Sequence, residues 1–148
     1  MTPELPALDD AAIRVGDRWA LLLVAALLAG PRRFGDLQEE LAGVAPNVLA
    51  KRLRNLEADG LVVATPYSTR PPRVAYGLTA AGTALADALR LLAQWGADHP
   101  GPRSRRSAHP PTEPLHHAAC GTAVEARWWC PTCEELVDPD AVSDVRWV

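Results

Sequence analysis

The feature that most constrains the fold is a short amphipathic segment, residues 46–60, with the sequence PNVLAKRLRNLEADG. Leu49, Leu53 and Leu56 recur at intervals of four and three residues, which is the spacing of one buried face of an α-helix. The segment begins with proline, which is favoured in the first turn of a helix, and ends with glycine, which is favoured just after the last turn. The spacing therefore predicts one helix that packs its leucines against a core.

The opposite face of this helix is polar and carries positive charge. With the leucines directed inward and about 100° of rotation per residue, Asn47, Lys51 and Arg54 point outward. Arg52 lies closer to the core and is predicted to brace the fold. Two interpretations of the outward face stay open: an ordinary solvated surface, or a surface that contacts a negatively charged partner.

The surrounding sequence predicts an ordered set of helices and strands. The predicted helices cover residues 9–30 (in two pieces), 33–43, 46–60 and 79–99, and the predicted strands cover residues 61–66 and 73–79. The fold class is therefore mainly α with a small β-hairpin wing, a winged helix-turn-helix. In that architecture the helix at 46–60 enters the DNA major groove, and the hairpin reaches the neighbouring backbone.

Two further pairs of arginines are predicted to lie on the same surface as the outward face of this helix. Arg32 and Arg33 precede the second helix of the motif, and Arg70 and Arg73 lie on the hairpin. Residues 31–73 contain 7 Lys and Arg against 5 Asp and Glu, although the whole chain has a net charge of −3. A local excess of cations favours phosphate binding, whereas amide and basic side chains on the helix suit the edges of adenine and guanine.

Two stretches of the sequence resemble the HxlR family of bacterial winged-helix transcriptional regulators. They are VGDRWALLLVAALLAGPRRFGDLQEELAGVAPNVLAKRLRNLEADGLV, residues 15–62, and PPRVAYGLTAAG, residues 71–82; the resemblance as a whole covers roughly residues 10–99. It implies a sequence-specific regulator of transcription that binds a near-palindromic operator as a homodimer, paired through its N-terminal helix and the long helix after the wing. It also implies DNA contacts by Arg32, Arg33, Asn47, Ala50, Lys51, Arg54, Arg70 and Arg73.

Two tryptophans, Trp19 and Trp95, lie on apolar faces that are predicted to meet near the dimer helices. They predict either core or interface packing or a pocket for a small-molecule effector, and both interpretations stay open. Several members of the HxlR family, which this chain resembles, sense oxidants or electrophiles through a cysteine near the N-terminus. The first cysteine of this chain is Cys120, so the resemblance does not extend to that sensing route in the first domain.

Composition divides the chain of 148 residues into three parts. Residues 1–99 form the predicted winged-helix and dimerisation domain, residues 100–114 a linker rich in Pro and Arg, and residues 115–148 a small C-terminal module. The longest apolar run, residues 19–29, is too short to cross a membrane, and the acidic N-terminus does not resemble an export signal. These features predict a cytoplasmic protein without a membrane partner.

The C-terminal module contains all three cysteines of the chain. Two residues separate His117 from Cys120, two separate Cys130 from Cys133, and nine residues join the two pairs. Two such pairs can supply the four tetrahedral ligands of zinc. The spacing therefore predicts a small β module of zinc-ribbon type with a structural zinc ion, in which His116 is the alternative nitrogen ligand.

Two other interpretations of this module stay open. The thiols could be free, with the module held together instead by the aromatic side chains of Trp128, Trp129 and Trp147. Alternatively, Cys130 and Cys133 could form a thiol-based redox switch.

The main functional prediction, a DNA-binding regulator, has one alternative from another class. Residues 1–99 carry 10 Lys and Arg against 11 Asp and Glu, which also suits a winged-helix module that docks a partner protein instead of contacting DNA. No nucleophile–base pair, phosphate-binding loop or paired carboxylates stand out in the sequence, so an enzyme is not predicted.

Overall fold

A computed structural model describes residues 4–99, 101 and 116–138 of the chain. Its elements are α1 (Glu4–Val15), α2 (Arg18–Leu27), β1 (Arg32–Arg33), α3 (Phe34–Glu40), α4 (Pro46–Ala58), β2 (Val62–Thr69), β3 (Pro72–Leu78), α5 (Ala80–Thr83), α6 (Ala86–Asp98), β4 (Trp128–Cys130) and β5 (Glu135–Val137). The chain divides into two compact units, one covering Leu5–Arg90 and a second that comprises Met1–Glu4 and the chain from Leu91 onward, and each is described by itself. Within the described ranges, no helix is both long enough and apolar enough to span a membrane.

The core of the first unit is formed by the apolar faces of the helices and the beginning of the sheet. Its buried residues are Ala20, Leu23, Val24, Leu27, Leu37, Leu41, Val44, Leu49, Leu53, Leu56, Leu61 and Val62. The three leucines of α4 are 0%, 1% and 1% exposed, which confirms the predicted inward face. Burial of each such side chain stabilises the fold by about 1.5–3 kcal/mol. The leucines therefore determine which side of α4 is left for solvent or a partner.

A tight turn joins α3 to α4, as the helix-turn-helix prediction requires. Gly43 adopts a φ of +95°, a left-handed conformation that a residue without a Cβ adopts at little steric cost. Val44 then turns inward and is buried. The backbone N–H of Leu49 donates to the carbonyl of Ala45 at 3.0 Å, which closes the first turn of α4. The predicted helix-turn-helix is confirmed.

The wing belongs to a three-stranded antiparallel sheet with the order β1-β3-β2. β2 and β3 form the predicted hairpin, and Val62 lies opposite Leu78 at its base. The sequence does not predict β1, in which Arg32 pairs with Tyr76 on the free edge of β3. Two successive arginines show no strand-like alternation, so this strand exists only because the edge of β3 offers unpaired backbone groups.

The first helix begins earlier than predicted. α1 starts at Glu4 rather than near residue 9, and it continues to Val15. The proline at residue 6 does not prevent this, because the first N–H groups of a helix have no intrahelical acceptor.

The predicted long helix after the wing is two helices. Thr79 caps the first turn as predicted, since its Oγ1 accepts from the backbone N–H of Gly82 at 3.1 Å, but α5 ends after four residues. The backbone N–H of Leu85 then donates to the carbonyl of Gly82 at 3.2 Å. This tightened turn separates α5 from α6. Gly82 lies so near the carbonyl of Leu61 that an added Cβ would be 2.2 Å from its oxygen.

In the second unit, the described part of the C-terminal module contains the predicted β structure. β4 and β5 pair antiparallel, and an isolated bridge joins His116 to Ala123. None of the residues described between 116 and 138 is buried. The predicted linker, residues 100–114, lies outside the described residues apart from Gly101, and the three-part division of the chain stays a prediction.

Candidate nucleic-acid interface

The outward face of α4 is accessible. Asn47, Lys51 and Arg54 are exposed, and Ala50 is half-buried. Within the described part of the chain, neither Lys51 nor Arg54 forms an ion pair. This face therefore presents an amide and two uncompensated cations to the surroundings, beside a small side chain that permits close approach.

Arg52 lies on the side of α4 that faces α2, and it braces the fold as predicted. Its Nε lies 3.1 Å from Oδ2 of Asp17, although the N–H is not aimed at the oxygen, so the contact is an ion pair rather than a hydrogen bond. Oδ1 of Asp17 accepts from the backbone N–H groups of Trp19 and Ala20 at 2.9 and 3.3 Å. One carboxylate therefore caps α2 and also contacts α4.

Arg32 and Arg33 occupy strand β1 rather than a loop, and their cations have different surroundings. Nε of Arg32 lies 3.8 Å from Oε2 of Glu40, so this guanidinium is partly compensated. The guanidinium of Arg33 lies 4.8 Å from the ring centroid of Tyr67 on β2, in a cation–π contact. Arg33 is exposed, and the aromatic ring leaves its charge available to an anion.

Arg70 and Arg73 are exposed at the tip of the hairpin. Thr69 and Pro72 are paired across the turn, so Arg70 lies in the turn itself. The hydroxyl of Ser68 donates to the carbonyl of Pro71 at 2.9 Å and orders this turn. The tip therefore carries two charges on an ordered backbone, and neither forms an ion pair within the described residues.

Backbone hydrogen bonds connect the elements that carry these three groups of cations. Gly60, with a φ of +69°, ends α4, and the backbone N–H of Leu61 donates to the carbonyl of Leu56 at 2.9 Å. The chain passes from there directly into β2. Since β1 pairs with β3, and β3 with β2, all eight predicted DNA contacts belong to one unit, Leu5–Arg90.

The two tryptophans of the candidate effector pocket lie in different units. Trp19 is half-buried, packs against the core of the first unit, and has the Arg18 guanidinium 4.5 Å from its ring centroid. Trp95 belongs to the second unit; it is 61% exposed and stacks on His99 with ring centroids 5.5 Å apart. The assignment of these residues to an effector pocket stays a prediction.

A polar cleft that the sequence does not predict lies between α1 and α4. Its volume is about 290 Å³, and its lining includes Arg14, Asp17, Arg52, Asn55 and Asp59. Nη2 of Arg14 donates to the carbonyl of Asp59 at 2.7 Å and links α1 to the end of α4. Long-range contacts between side chains of separate helices have no signal in local periodicity, which is why sequence analysis misses them.

The predicted metal ligands lie in two pairs. Nδ1 of His117 lies 3.3 Å from Sγ of Cys120, and Cys130 and Cys133 lie in a turn that the N–H of Glu134 closes onto the carbonyl of Cys130 at 2.9 Å. Within the described residues, no three potential ligands lie close enough together to share an ion.

Hydrogen bonds shift the acidity of the three thiols in different directions. Those from Thr122, with a smaller contribution from His117, hold the pKa of Cys120 below its ordinary value. The backbone N–H groups of Cys133 and Thr132 lower the pKa of Cys130, whereas the neighbouring Cys130 raises the pKa of Cys133.

A helix-turn-helix whose second helix exposes cations without an ion pair among the described residues, followed by a wing with a basic tip, defines a DNA-binding winged-helix protein. The sequence profile of the HxlR-like helix-turn-helix family matches residues 14–104 of this chain. The chain belongs to that family and is a transcriptional regulator.

Individual relatives agree with this assignment. Rv3095 of Mycobacterium tuberculosis, described as an HTH-type transcriptional regulator, is 40% identical over 124 residues, which is 83% of this chain and 74% of the relative. The crystal structure of PA1607, a candidate transcription factor, aligns with a TM-score of 0.69 and 31% identity over 93% of this chain and 89% of that one. The oxidized form of the redox regulator HypR aligns with a TM-score of 0.61 and 27% identity over 64% of this chain and 98% of that one.

These comparisons confirm the predicted family, the winged helix-turn-helix fold and the function of a DNA-binding regulator. The alternative prediction, a module that docks a partner protein instead of contacting DNA, receives no support from these relatives. The prediction that the chain is not an enzyme stays a prediction, in keeping with relatives that regulate transcription.

Proposed function

We propose that this regulator acts in the cytoplasm as a homodimer on a near-palindromic operator, with α4 of each copy in a major groove. The observation that carries the proposal is the outward face of α4, where Asn47, Lys51 and Arg54 are exposed and both cations lack an ion pair within the described residues. The opposite face of α4 is buried against the core through its leucines, so the outward face is the one that can enter the groove.

Each group of residues has a role that follows from its chemistry. On α4, Lys51 or Arg54 suits the acceptor pair of a guanine edge, Asn47 suits an adenine edge, and Ala50 suits contact with a thymine methyl group. The arginines on the sheet suit phosphate groups, which supply affinity without base discrimination. Those arginines are Arg32, Arg33, Arg70 and Arg73.

Selection of bound sequences from random duplexes tests the proposal, followed by titration of variants on the selected site. Lys51→Ala or Arg54→Ala is expected to weaken binding by about 1–3 kcal/mol if a base contact is lost. The matched control is Arg127→Ala, which removes the same charge from an exposed position in the second unit. Equal affinity of both α4 variants and the control would contradict the proposed interface.

The dimer is supported by apolar side chains that remain uncovered in the single chain. On α1, Leu5, Leu8 and Ile13 are 50%, 64% and 76% exposed, and on α6, Leu91 and Trp95 are 51% and 61% exposed. Exposed apolar residues on two amphipathic helices favour burial against a second copy. The resemblance to the HxlR family implies dimerisation through these same two helices.

An effector-responsive regulator is supported by the likeness to HypR, a redox regulator. In this chain every cysteine lies at or beyond Cys120, so a thiol route would have to operate in the second unit. A small-molecule effector bound near Trp19 or Trp95 would change the fluorescence of tryptophan. A screen of redox-active and aromatic compounds by fluorescence and operator release tests this part of the proposal.

A further inference from the structure

Two turns in the second unit share one backbone form. In the first, His117 and Cys120 are three residues apart, and the N–H of Gly121 donates to the carbonyl of His117 at 2.8 Å. Gly121 has a φ of +68°. The chain therefore reverses direction just after the second of two side chains that can bind a metal.

The second turn repeats this pattern with a different sequence. Cys130 and Cys133 are three residues apart, and the N–H of Glu134 donates to the carbonyl of Cys130 at 2.9 Å. Glu134 has a φ of +56° and is the one non-glycine residue with positive φ within the described ranges. This conformation is unfavourable for a residue with a Cβ.

The side chains in each turn are arranged for chelation by two neighbouring ligands. Nδ1 of His117 lies 3.3 Å from Sγ of Cys120. In the other turn, Cys130 and Cys133 have the same spacing of three residues, and pairs of cysteine and histidine side chains at this spacing are typical zinc ligands.

Apolar packing does not hold the two turns together within the described residues. None of the residues described between 116 and 138 is buried, and Trp128 and Trp129 are 59% and 55% exposed. The interpretation in which aromatic side chains replace a metal therefore lacks a core in this part of the chain; Trp147 lies outside the described residues. A module of this size without a core needs another source of stability, such as a metal ion or a disulfide.

We propose that the second unit binds one zinc ion through His117, Cys120, Cys130 and Cys133, and that the ion joins the two turns. Each turn supplies two ligands, and the combined set of three thiolates and one imidazole satisfies tetrahedral zinc. Because the two pairs are not within reach of one ion in the single chain, binding would draw them together and order the module. The three thiols release their protons to solvent as the ion binds.

The structure favours His117 over His116 as the nitrogen ligand. The imidazole of His117 lies beside the thiol of Cys120, with Nδ1 3.3 Å from Sγ, so these two side chains already face one another. The two histidines are adjacent, so the pair offers a matched test of which ring binds.

Titration of the full chain with Co²⁺, after removal of metal and with a reductant that does not bind metals, tests the proposal. The expected result is one Co²⁺ per chain, with visible bands of tetrahedral cobalt and a thiolate charge-transfer band, both removed by Zn²⁺. Cys133→Ser and His117→Ala each remove a proposed ligand and are expected to weaken Co²⁺ binding strongly. The expected loss exceeds the loss of about 10–100-fold that is typical when a residue hydrogen-bonded to a ligand is mutated. His116→Ala is expected to bind as the unaltered chain does.

Two results would overturn the proposal. One is the absence of stoichiometric binding, or a spectrum of octahedral cobalt, with the unaltered chain in its reduced form. The other is a loss of binding in His116→Ala that equals the loss in His117→Ala. Operator affinity, measured on the same samples, reports separately on the first unit.

Discussion

Asp17 connects two elements through one side chain. Its Oδ1 caps α2, and its Oδ2 lies beside Arg52 on α4, with both side chains about one third exposed. An exposed ion pair contributes at most about 1 kcal/mol, whereas an N-cap contributes about 0.5–2 kcal/mol. Most of the stability that Asp17 supplies is therefore expected to come from its cap.

Substitutions of Asp17 can separate these two contributions. Asp17→Ala is expected to lower the free energy of unfolding by about 1–2 kcal/mol, because the cap and the ion pair are both lost. Asp17→Asn retains an effective cap and is expected to lose less than about 1 kcal/mol. Urea unfolding followed by circular dichroism measures both, and equal losses would assign the effect to the ion pair with Arg52.

Arg70 and Arg54 are both exposed, but their expected partners on DNA differ. Arg70→Ala is expected to weaken binding to selected and unrelated duplexes alike, and to make the slope of log affinity against log salt shallower by about 1. Arg54→Ala is expected to act mainly on the selected sequence. Titrations at several salt concentrations distinguish these outcomes, and a sequence-dependent effect of Arg70→Ala would exclude a pure phosphate contact.

At the scale of elements, helix α5 keeps the wing in place. The hydroxyl of Thr79 donates to the carbonyl of Gly60 at 2.6 Å, and its backbone N–H donates to the carbonyl of Leu61 at 3.0 Å. Gly82 packs against that same carbonyl. The end of α4, the beginning of β2 and the end of β3 are therefore held at one point, which sets the position of the wing relative to α4.

Gly82→Ala tests this contact. A Cβ at residue 82 would lie 2.2 Å from the carbonyl oxygen of Leu61, so α5 has to shift and a loss of about 1–3 kcal/mol in unfolding free energy is expected. Gly35→Ala is the control, because a Cβ there meets no atom within 4 Å and a helical alanine is expected to stabilise by about 0.4–1 kcal/mol. Thermal unfolding of both variants gives the comparison; equal behaviour would show that α5 is not tightly packed.

At the scale of the whole molecule, the proposed dimer predicts that assembly depends on the face of α1. Leu8→Glu introduces a charge at a residue that is 64% exposed in the single chain, and it is expected to raise the dimer dissociation constant and to weaken operator binding. Leu136→Glu is the control, since this leucine is also 64% exposed but lies on β5, outside the two helices of the proposed dimer face. Sedimentation equilibrium over a range of concentrations measures both, and a dimer that tolerates Leu8→Glu would exclude this face.

Much of the secondary structure of the first unit can be predicted from the sequence, because the residue patterns that indicate it are local. The leucine spacing of α4 indicated both the helix and its buried face, and the same rotation placed Asn47, Lys51 and Arg54 outward. Thr79 was recognisable as a cap from its position before a helical pattern. Each of these inferences depends on residues within one or two turns of one another, where covalent geometry determines direction.

Strand β1, the Asp17–Arg52 contact and the division between α5 and α6 depended on tertiary structure. The first two involve a partner distant in sequence, the edge of β3 and the side of α2, and the third occurs where Gly82 packs against the carbonyl of Leu61. The sequence by itself determined which faces of the elements are apolar and which residues can carry charge or bind metal. Only the packed chain decided which groups meet, because long-range contacts arise from the burial of those faces together, and local periodicity carries no information about the partner.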